Sequence, residues 1–175
     1  MTTRKLSMAL TALLMTAAAL GAPIPVQIAG GTLDPVFEDA DIYIGIPKSA
    51  TATPGTACRV AQDYITYVQN GQYDKVVELF AKTAVVLEPT RQHVQGRDAI
   101  TKFYTETIGR MKPDIVAVAY VGDKTDCMVS IAAGDRNATQ PHYKLASVDH
   151  FTLDATGKVV SMVAFVRPPA SSPRH

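Results

Sequence analysis

The change of hydrophobic period near residue 115 constrains the fold of this chain more than any other feature. Before it, apolar residues recur at helical spacing, as in Val60, Tyr64 and Val68. After it, apolar and polar residues alternate as they do in strands, and short turn motifs interrupt the alternation. Helices followed by strands with short connections predict an α+β domain with an antiparallel sheet.

Three helices are predicted in the first half of the chain. The first ends at Asn70 and Gly71, a pair that tolerates the left-handed conformation. A second short helix follows, then a short strand over 84–87 that stops at Pro89. The third helix is predicted over 96–108, where apolar residues form a single stripe.

Turn motifs divide the second half into four predicted strands. Because short turns join neighbouring strands, the strands should pair in antiparallel order. A curved sheet wrapped around three helices forms a cone-shaped α+β roll of the cystatin type, with one open end suited to a small molecule. The predicted strands lie near 115–121, 126–133, 142–153 and 159–166.

The first 22 residues have the layout of a secretory signal peptide. Arg4 and Lys5 precede an apolar run over 6–20, and small residues follow it. The run is too short and too rich in alanine for a good membrane span, so a retained anchor is the weaker interpretation. We expect cleavage between residues 19 and 29, export to the periplasm or the medium, and no membrane association afterwards.

Composition outlines the rest of the domain organisation. Residues 23–56 are rich in Pro, Gly, Ala and Thr, which predicts a tether with room for one docked strand at the apolar patch 42–46. The folded domain is predicted over 57–167, a typical size for a single domain. Residues 168–175 are predicted to be a disordered tail.

Charge and histidine spacing exclude some classes of partner. The formal net charge is +1 and no basic run is present, so nucleic acid is not an expected partner. The four histidines show no spacing typical of metal ligands. We therefore predict neither a metal nor a cofactor.

The two cysteines leave two interpretations open. Cys58 begins the first predicted helix and Cys127 lies in a later strand. In an oxidising compartment such a pair can form a disulfide, and the alternative is two buried thiols. The sequence does not show whether the two Cα atoms come within the roughly 7 Å that a disulfide requires.

Three polar side chains fall where the pattern favours apolar ones. Tyr64 has an inward helical position, Glu88 ends the short strand, and Asp149 shares a strand face with Tyr143 and Phe151. Buried carboxyl groups cost free energy unless paired or protonated. One interpretation is a pocket with an acid and a base set apart by environment. The other is a core tyrosine, a surface glutamate and a paired aspartate.

Several stretches resemble the nuclear transport factor 2-like superfamily, in particular its ketosteroid isomerase and SnoaL-like branch. They are residues 64–71, 80–89, 94–104 and 148–159, and together they cover nearly all of 57–167. The resemblance implies the cone-shaped fold. It does not fix the function, because the superfamily includes isomerases, cyclases, hydrolases, dehydratases and proteins that only bind.

The resemblance also implies roles for individual residues. Tyr64 matches the tyrosine that holds the oxyanion, Asp149 the protonated aspartic acid beside it, and Tyr104 a supporting tyrosine. Glu88 matches the general base, which is Asp in the isomerases, and Phe80 stands where a network tyrosine can occur. The extra methylene of Glu88 moves the carboxylate by about 1 Å, which can cost about a hundredfold in rate.

Such a set of residues implies proton transfer at a carbonyl compound with an apolar body. Glu88 would move a proton between two carbons while Tyr64 and neutral Asp149 donate hydrogen bonds to the enolate oxygen. The predicted function is an exported isomerase of the steroid delta-isomerase type. The alternatives are a binding module without chemistry in the same pocket, or a SnoaL-like cyclase or hydrolase.

Two sets of residues complete the predicted site and surface. The resemblance implies a homodimer through the outer sheet face, which carries His142, Lys144, Ala146, Val148 and His150. The side chains expected to line the pocket are Val68, Phe80, Val86, Phe103, Phe151, Met162, Ala164 and Val166.

Overall fold

The structure, a computed structural model, describes residues 42–88 and 93–166. The predicted signal peptide over 1–22 and the predicted tail over 168–175 lie outside the described residues. Within the part of the chain that is described, no helix is long and apolar enough to cross a membrane.

The helices occupy the predicted positions, with one change of type. Helix α1 buries one face at every third or fourth residue, from Cys58 to Val68, which is the predicted apolar stripe. Its chain leaves through Gly71 at φ 65°, a conformation that favours glycine. The helical elements are α1 (Cys58–Gln69), α2 (Tyr73–Leu79), α3 (Arg97–Lys102), a π-helical segment (Phe103–Ile108) and one turn, α4 (Gly109–Met111).

The described strands form one mixed sheet in the order β3-β2-β7-β6-β5-β4, with β1 added beside the start of β6. All pairings are antiparallel except that of β2 with β7, which is parallel. The predicted α+β architecture, with a sheet packed on the helices, is confirmed. The strands are β1 (Ile42–Ile44), β2 (Phe80–Leu87), β3 (His93–Gln95), β4 (Asp114–Gly122), β5 (Asp126–Gly134), β6 (His142–Leu153) and β7 (Val159–Val166).

The predicted common face along the whole of β6 is wrong, because a β-bulge interrupts it. The register between β5 and β6 shifts between Ile131 and Ala132, so the first residues of β6 change sides. Asp149 and Phe151 face the helices, whereas Tyr143 packs in a separate cluster on the opposite side. That cluster contains Tyr43, Val116, Val118, Ala132 and Tyr143, with Leu145 packed against it.

The same bulge divides the predicted dimer face. His142 and Lys144 lie on the opposite side of the sheet from Val148 and His150, because the side chains of β6 alternate and the bulge reverses their sense. The outer face beyond the bulge is instead continued by Met128 on β5, which pairs with His150.

The described part of the predicted tether packs on the domain. Strand β1 extends the sheet beside β6, and Tyr43 is buried. The Ala50 N–H donates a hydrogen bond to the Ala117 carbonyl at 2.8 Å, and Ala52 is 1% exposed. Residues 42–57 therefore contribute to both the sheet and the core.

Candidate functional site

Two buried tyrosines meet between helix α1 and the π-helical segment. The Tyr104 hydroxyl donates a hydrogen bond to the Tyr64 oxygen at 3.2 Å, and the two rings are edge to face with centroids 5.9 Å apart. The Met162 sulfur, 3.4 Å from the Tyr104 hydroxyl, is an alternative acceptor. Because Tyr64 accepts from Tyr104, its own proton is left for another acceptor.

Aromatic rings fix the position of Tyr104. The Phe80 ring lies 5.9 Å from the Tyr104 ring and the Phe103 ring lies 5.2 Å from it, centroid to centroid. Tyr104 itself is fully buried. Its phenol has no room to turn away from Tyr64 without disturbing the core.

Asp149 is a buried carboxyl group on the same side of the sheet. It is 4% exposed, and its Oδ1 atom has no hydrogen-bond partner among the described residues. Burial raises the pKa of Asp149 to about 6, an effect that the Ser147 hydroxyl partly offsets. About a tenth of the Asp149 carboxyl groups are then neutral at pH 7, and most are neutral at pH 5.

Tyr64, Tyr104 and Asp149 share one electrostatic environment. Burial is the largest cause that raises the pKa of each tyrosine, and the Asp149 charge raises both pKa values further. The Tyr64 ring also contacts the Phe151 ring at 5.1 Å, two residues along β6 from Asp149. The structure thus brings together three of the predicted site residues.

Glu88 follows the last residue of β2 and is half-buried. Ala84 and Val86 are buried on the side of β2 that packs on the core, and alternation gives Glu88 the same side. Glu88 is not without an interaction partner. The residues that follow it, 89–92, lie outside the described residues.

Strand register relates Glu88 to Asp149. Leu87 pairs with Val163, so extending the register by one residue places Glu88 beside Ala164. Ala164 in turn pairs with Asp149. The two carboxyl-bearing residues are therefore two strands apart, which separates their Cα atoms by about 10 Å.

The predicted pocket-lining residues fall into two groups. Most are buried in the main core, and the others lie nearer the surface. Val68, Phe80, Val86, Phe151 and Met162 belong to the core cluster, Phe103 packs against it, Ala164 is half-buried, and Val166 is 47% exposed.

The π-helical segment was not predicted. The sequence indicated a regular helix over 96–108, but from Phe103 to Ile108 the helix has the wider π geometry. Such segments occur frequently at functional sites, and here the first turn carries Tyr104. An apolar stripe alone does not distinguish the two helix types over six residues.

A polar cavity of about 480 Å³ lies at the far end of α1, lined by Gln69 and Lys112 among others. Its one described ion pair joins Arg136 to Asp114, and the Tyr143 hydroxyl also donates to Asp114 at 2.8 Å. This ion pair neutralises the charges of Arg136 and Asp114 in the cavity wall. Among the described residues, no group of three or more side chains is arranged to hold a metal ion.

Known proteins share this fold. Residues 61–162 match the SnoaL-like domain family. The structure is similar to SalBIII, an epoxide hydrolase/cyclase-like enzyme in pyran ring formation in polyether salinomycin, with TM-score 0.53 and 24% identity over 63% of this chain and 90% of that chain. At this level of identity the similarity shows the fold alone.

Two further similar structures are more distant in sequence. RV0760c from Mycobacterium tuberculosis has TM-score 0.52 and 13% identity over 62% of this chain and 92% of that chain. The same protein is also known in complex with estradiol-17beta-hemisuccinate. A computationally designed 17-OHP binder has TM-score 0.51 and 11% identity over 63% of this chain and 92% of that chain.

Proposed function

The chain belongs to the SnoaL-like domain family, and we propose that it is an isomerase that moves a proton on a carbonyl compound with an apolar body. The reaction shifts a carbon–carbon double bond into conjugation with the carbonyl group. Substrate and product are isomers, so no oxidant, reductant or cofactor is required. Glu88, Tyr64 and Asp149 are the catalytic residues.

The Asp149 oxygen without a described partner is the observation that carries this proposal. A buried polar atom is expensive to leave unsatisfied, and a ligand oxygen held by the protonated carboxyl group would satisfy it. Tyr64 supplies a second donor, since its oxygen already accepts from Tyr104 and the Asp149 charge raises its pKa. Two neutral donors aimed at one oxygen stabilise negative charge that develops there.

The proton transfer has two steps. The Glu88 carboxylate takes a proton from the carbon between the carbonyl group and the double bond, and the electrons of the broken C–H bond form the enolate. Tyr64 and Asp149 donate hydrogen bonds to the enolate oxygen. Glu88 then returns the proton to the far carbon of the former double bond, which completes the shift.

Strand register supports this division of roles. Glu88 and Asp149 flank Ala164 from opposite sides, with Cα atoms about 10 Å apart. In the proposed complex a flat ring system lies between these two side chains. Its oxygen then meets Asp149 while its carbon skeleton approaches Glu88.

The similar structures support the ligand class. RV0760c is known with a bound estradiol derivative, and the designed protein binds 17-OHP. From these two proteins we infer only the size and the apolar character of the ligand of this chain. The alternative function is binding without chemistry, because Tyr64 and Asp149 suit a ligand oxygen whether or not Glu88 acts.

We also propose export through the signal peptide over 1–22. The Cys58–Cys127 disulfide supports export, because disulfides persist in oxidising compartments.

A homodimer through the outer sheet face is supported by Met128 and Phe165, which are 48% and 57% exposed there. Light scattering on the Met128→Glu/Phe165→Glu variant tests the dimer: a native monomer contradicts it.

An absorbance assay tests the proposed reaction. The mature protein is mixed with a β,γ-unsaturated ketosteroid, and formation of the conjugated enone is followed beside the Glu88→Gln variant. Glu78→Gln is the matched control, because Glu78 is exposed on α2 away from the site. We expect turnover in the native protein and the control, and none in Glu88→Gln, while steroid binding is retained in all three.

Two results would separate the alternatives. Binding of the steroid without turnover by the native protein favours the binding module. Turnover that is unchanged in Glu88→Gln contradicts the assignment of the base.

A further inference from the structure

A disulfide joins the two structural units that carry the donor residues. Cys58 lies in the first turn of α1, the helix that holds Tyr64. Cys127 lies on β5, which pairs along its length with β6, the strand that holds Asp149. The Cα atoms of the two cysteines are 5.0 Å apart.

The bond lies close to both donors along the chain. Tyr64 lies six positions after Cys58 along the helix, a rise of about 9 Å. On the sheet side, Cys127 pairs with Phe151 and the residue two positions on, Val129, pairs with Asp149. The Phe151 ring contacts the Tyr64 ring at 5.1 Å, so the bond, this ring pair and Asp149 form one continuous block.

The surrounding backbone is fitted closely to the bond. Cys58 is 2% exposed and Cys127 is 1% exposed. A Cβ atom placed on Gly122 would lie 2.8 Å from the Cys58 sulfur and 2.3 Å from the Asp126 carbonyl oxygen. Only glycine leaves room there, so β4 packs directly against the bond.

Hydrogen bonds also hold the start of α1: the Ala52 N–H, for example, donates to the Gln62 side chain at 2.8 Å. The residue before the helix is Ala57, whose side chain has no group to cap the first turn. Its N–H donates to the Asp123 carbonyl at 2.7 Å, on the loop between β4 and β5. The covalent bond thus joins the first turn to β5 directly, whereas this hydrogen bond reaches only the loop before β5.

We propose that the Cys58–Cys127 disulfide is a positioning element of the donor pair, which holds Tyr64 against Asp149 by fixing the start of α1 on β5. This inference rests on the proposed function for its catalytic meaning. Donors must be held to within about 0.5 Å of the productive geometry, and a displacement of about 1 Å can cost a hundredfold in rate. The cysteines themselves take no part in the chemistry.

The test uses the titration of Asp149, which requires no substrate. The carboxyl carbon of Asp149 is followed by ¹³C NMR across pH in the native protein and in Cys58→Ala/Cys127→Ala. We expect the midpoint to fall by about one unit in the variant, because water reaches the carboxyl group when the start of α1 moves. Val159→Ala is the matched control: it removes a fully buried side chain of β7 and should leave the midpoint unchanged.

A second variant decides the question if the double variant does not fold. Cys58→Ala/Cys127→Val also removes the covalent bond, but valine suits a strand and fills part of the space that the two sulfurs occupied. We expect a smaller shift of the Asp149 midpoint in the same direction. Midpoints that stay at the native value in the folded variants would overturn the inference and leave the bond as a general stabiliser.

The outcome is separable from that of the proposed function. If the native protein fails to isomerise the ketosteroid but the Asp149 midpoint responds to both variants, the positioning role stands and the isomerase proposal fails. If the enzyme turns over and the midpoint does not respond, only the positioning role fails.

Discussion

The Tyr104 hydroxyl donates to the Tyr64 oxygen at 3.2 Å, and this bond sets the direction of the hydrogen bonds in the site. A phenol that accepts from one neighbour becomes a better donor to the next, because the bonds polarise one another. Tyr64 therefore keeps its own proton for another acceptor. The pair connects the π-helical segment to α1 through two side chains.

Removing the Tyr104 hydroxyl should weaken the Tyr64 donor without emptying the core. In Tyr104→Phe the ring still packs on Phe80 and Phe103, but the hydrogen bond to Tyr64 is lost. We expect kcat/KM for the ketosteroid to fall about tenfold, the usual worth of one hydrogen bond. Tyr67→Phe, on the helix that carries Tyr64, is the control, and an equal loss in both variants would contradict a specific role for Tyr104.

The stability of the protein should depend on pH through Asp149. The pKa of Asp149 is raised in the fold from 3.8 to about 6, so its favourable contribution is present at low pH and is lost as pH rises through 6. Asp149→Asn does not titrate. We expect native stability, measured relative to this variant by urea unfolding, to be about 2 kcal/mol higher at pH 4.5 than at pH 8.

The contrary result is a stability difference between the native protein and Asp149→Asn that stays constant across this pH range. It would show that folding does not change the pKa of the Asp149 carboxyl group. The comparison with the variant matters because other groups titrate too. Asp114, for example, has a pKa held below its usual range by the Arg136 guanidinium, and its effect cancels in the difference.

The pH dependence of turnover should follow the same group. Because the proposed donor is the neutral form of Asp149, kcat/KM should decrease about tenfold for each pH unit above 6. In the Asp149→Asn variant the side-chain amide also donates a hydrogen bond. Because the amide does not ionise, it still donates above pH 6. The kcat/KM of this variant should therefore stay constant from pH 6 to pH 8. If it instead falls as steeply as that of the native protein, the decrease above pH 6 is due to the titration of another group.

Local patterns predicted most of the elements. The strand boundaries near 126–133, 142–153 and 159–166 agree with the structure because a turn motif marks each connection. Local patterns did not predict the parallel pairing of β2 with β7, since pairing between distant segments leaves no mark in either one. The bulge in β6 was missed for a related reason. An extra residue in a strand reverses the side to which the following side chains point, but the sequence still alternates in the same way.

The site was less accessible to sequence reasoning than the fold. Tyr64 and Asp149 were identified by apolar surroundings and by a family resemblance, and the structure places them together. Whether Cys58 and Cys127 are joined depended on a distance that the sequence does not contain. Whether Glu88 acts on a ligand depends on chemistry that neither pattern nor register supplies.

The most direct test of the proposed donor pair is the titration of Asp149 in the native protein by ¹³C NMR, with the carboxyl resonance assigned from Asp149→Asn. A donor pair requires a neutral carboxyl group beside Tyr64, so we expect a midpoint near pH 6 that rises when a steroid ketone is bound. A midpoint near the ordinary value of 3.8, unchanged by the ketone, would mean that Asp149 is ionised throughout and would contradict the proposed donor pair.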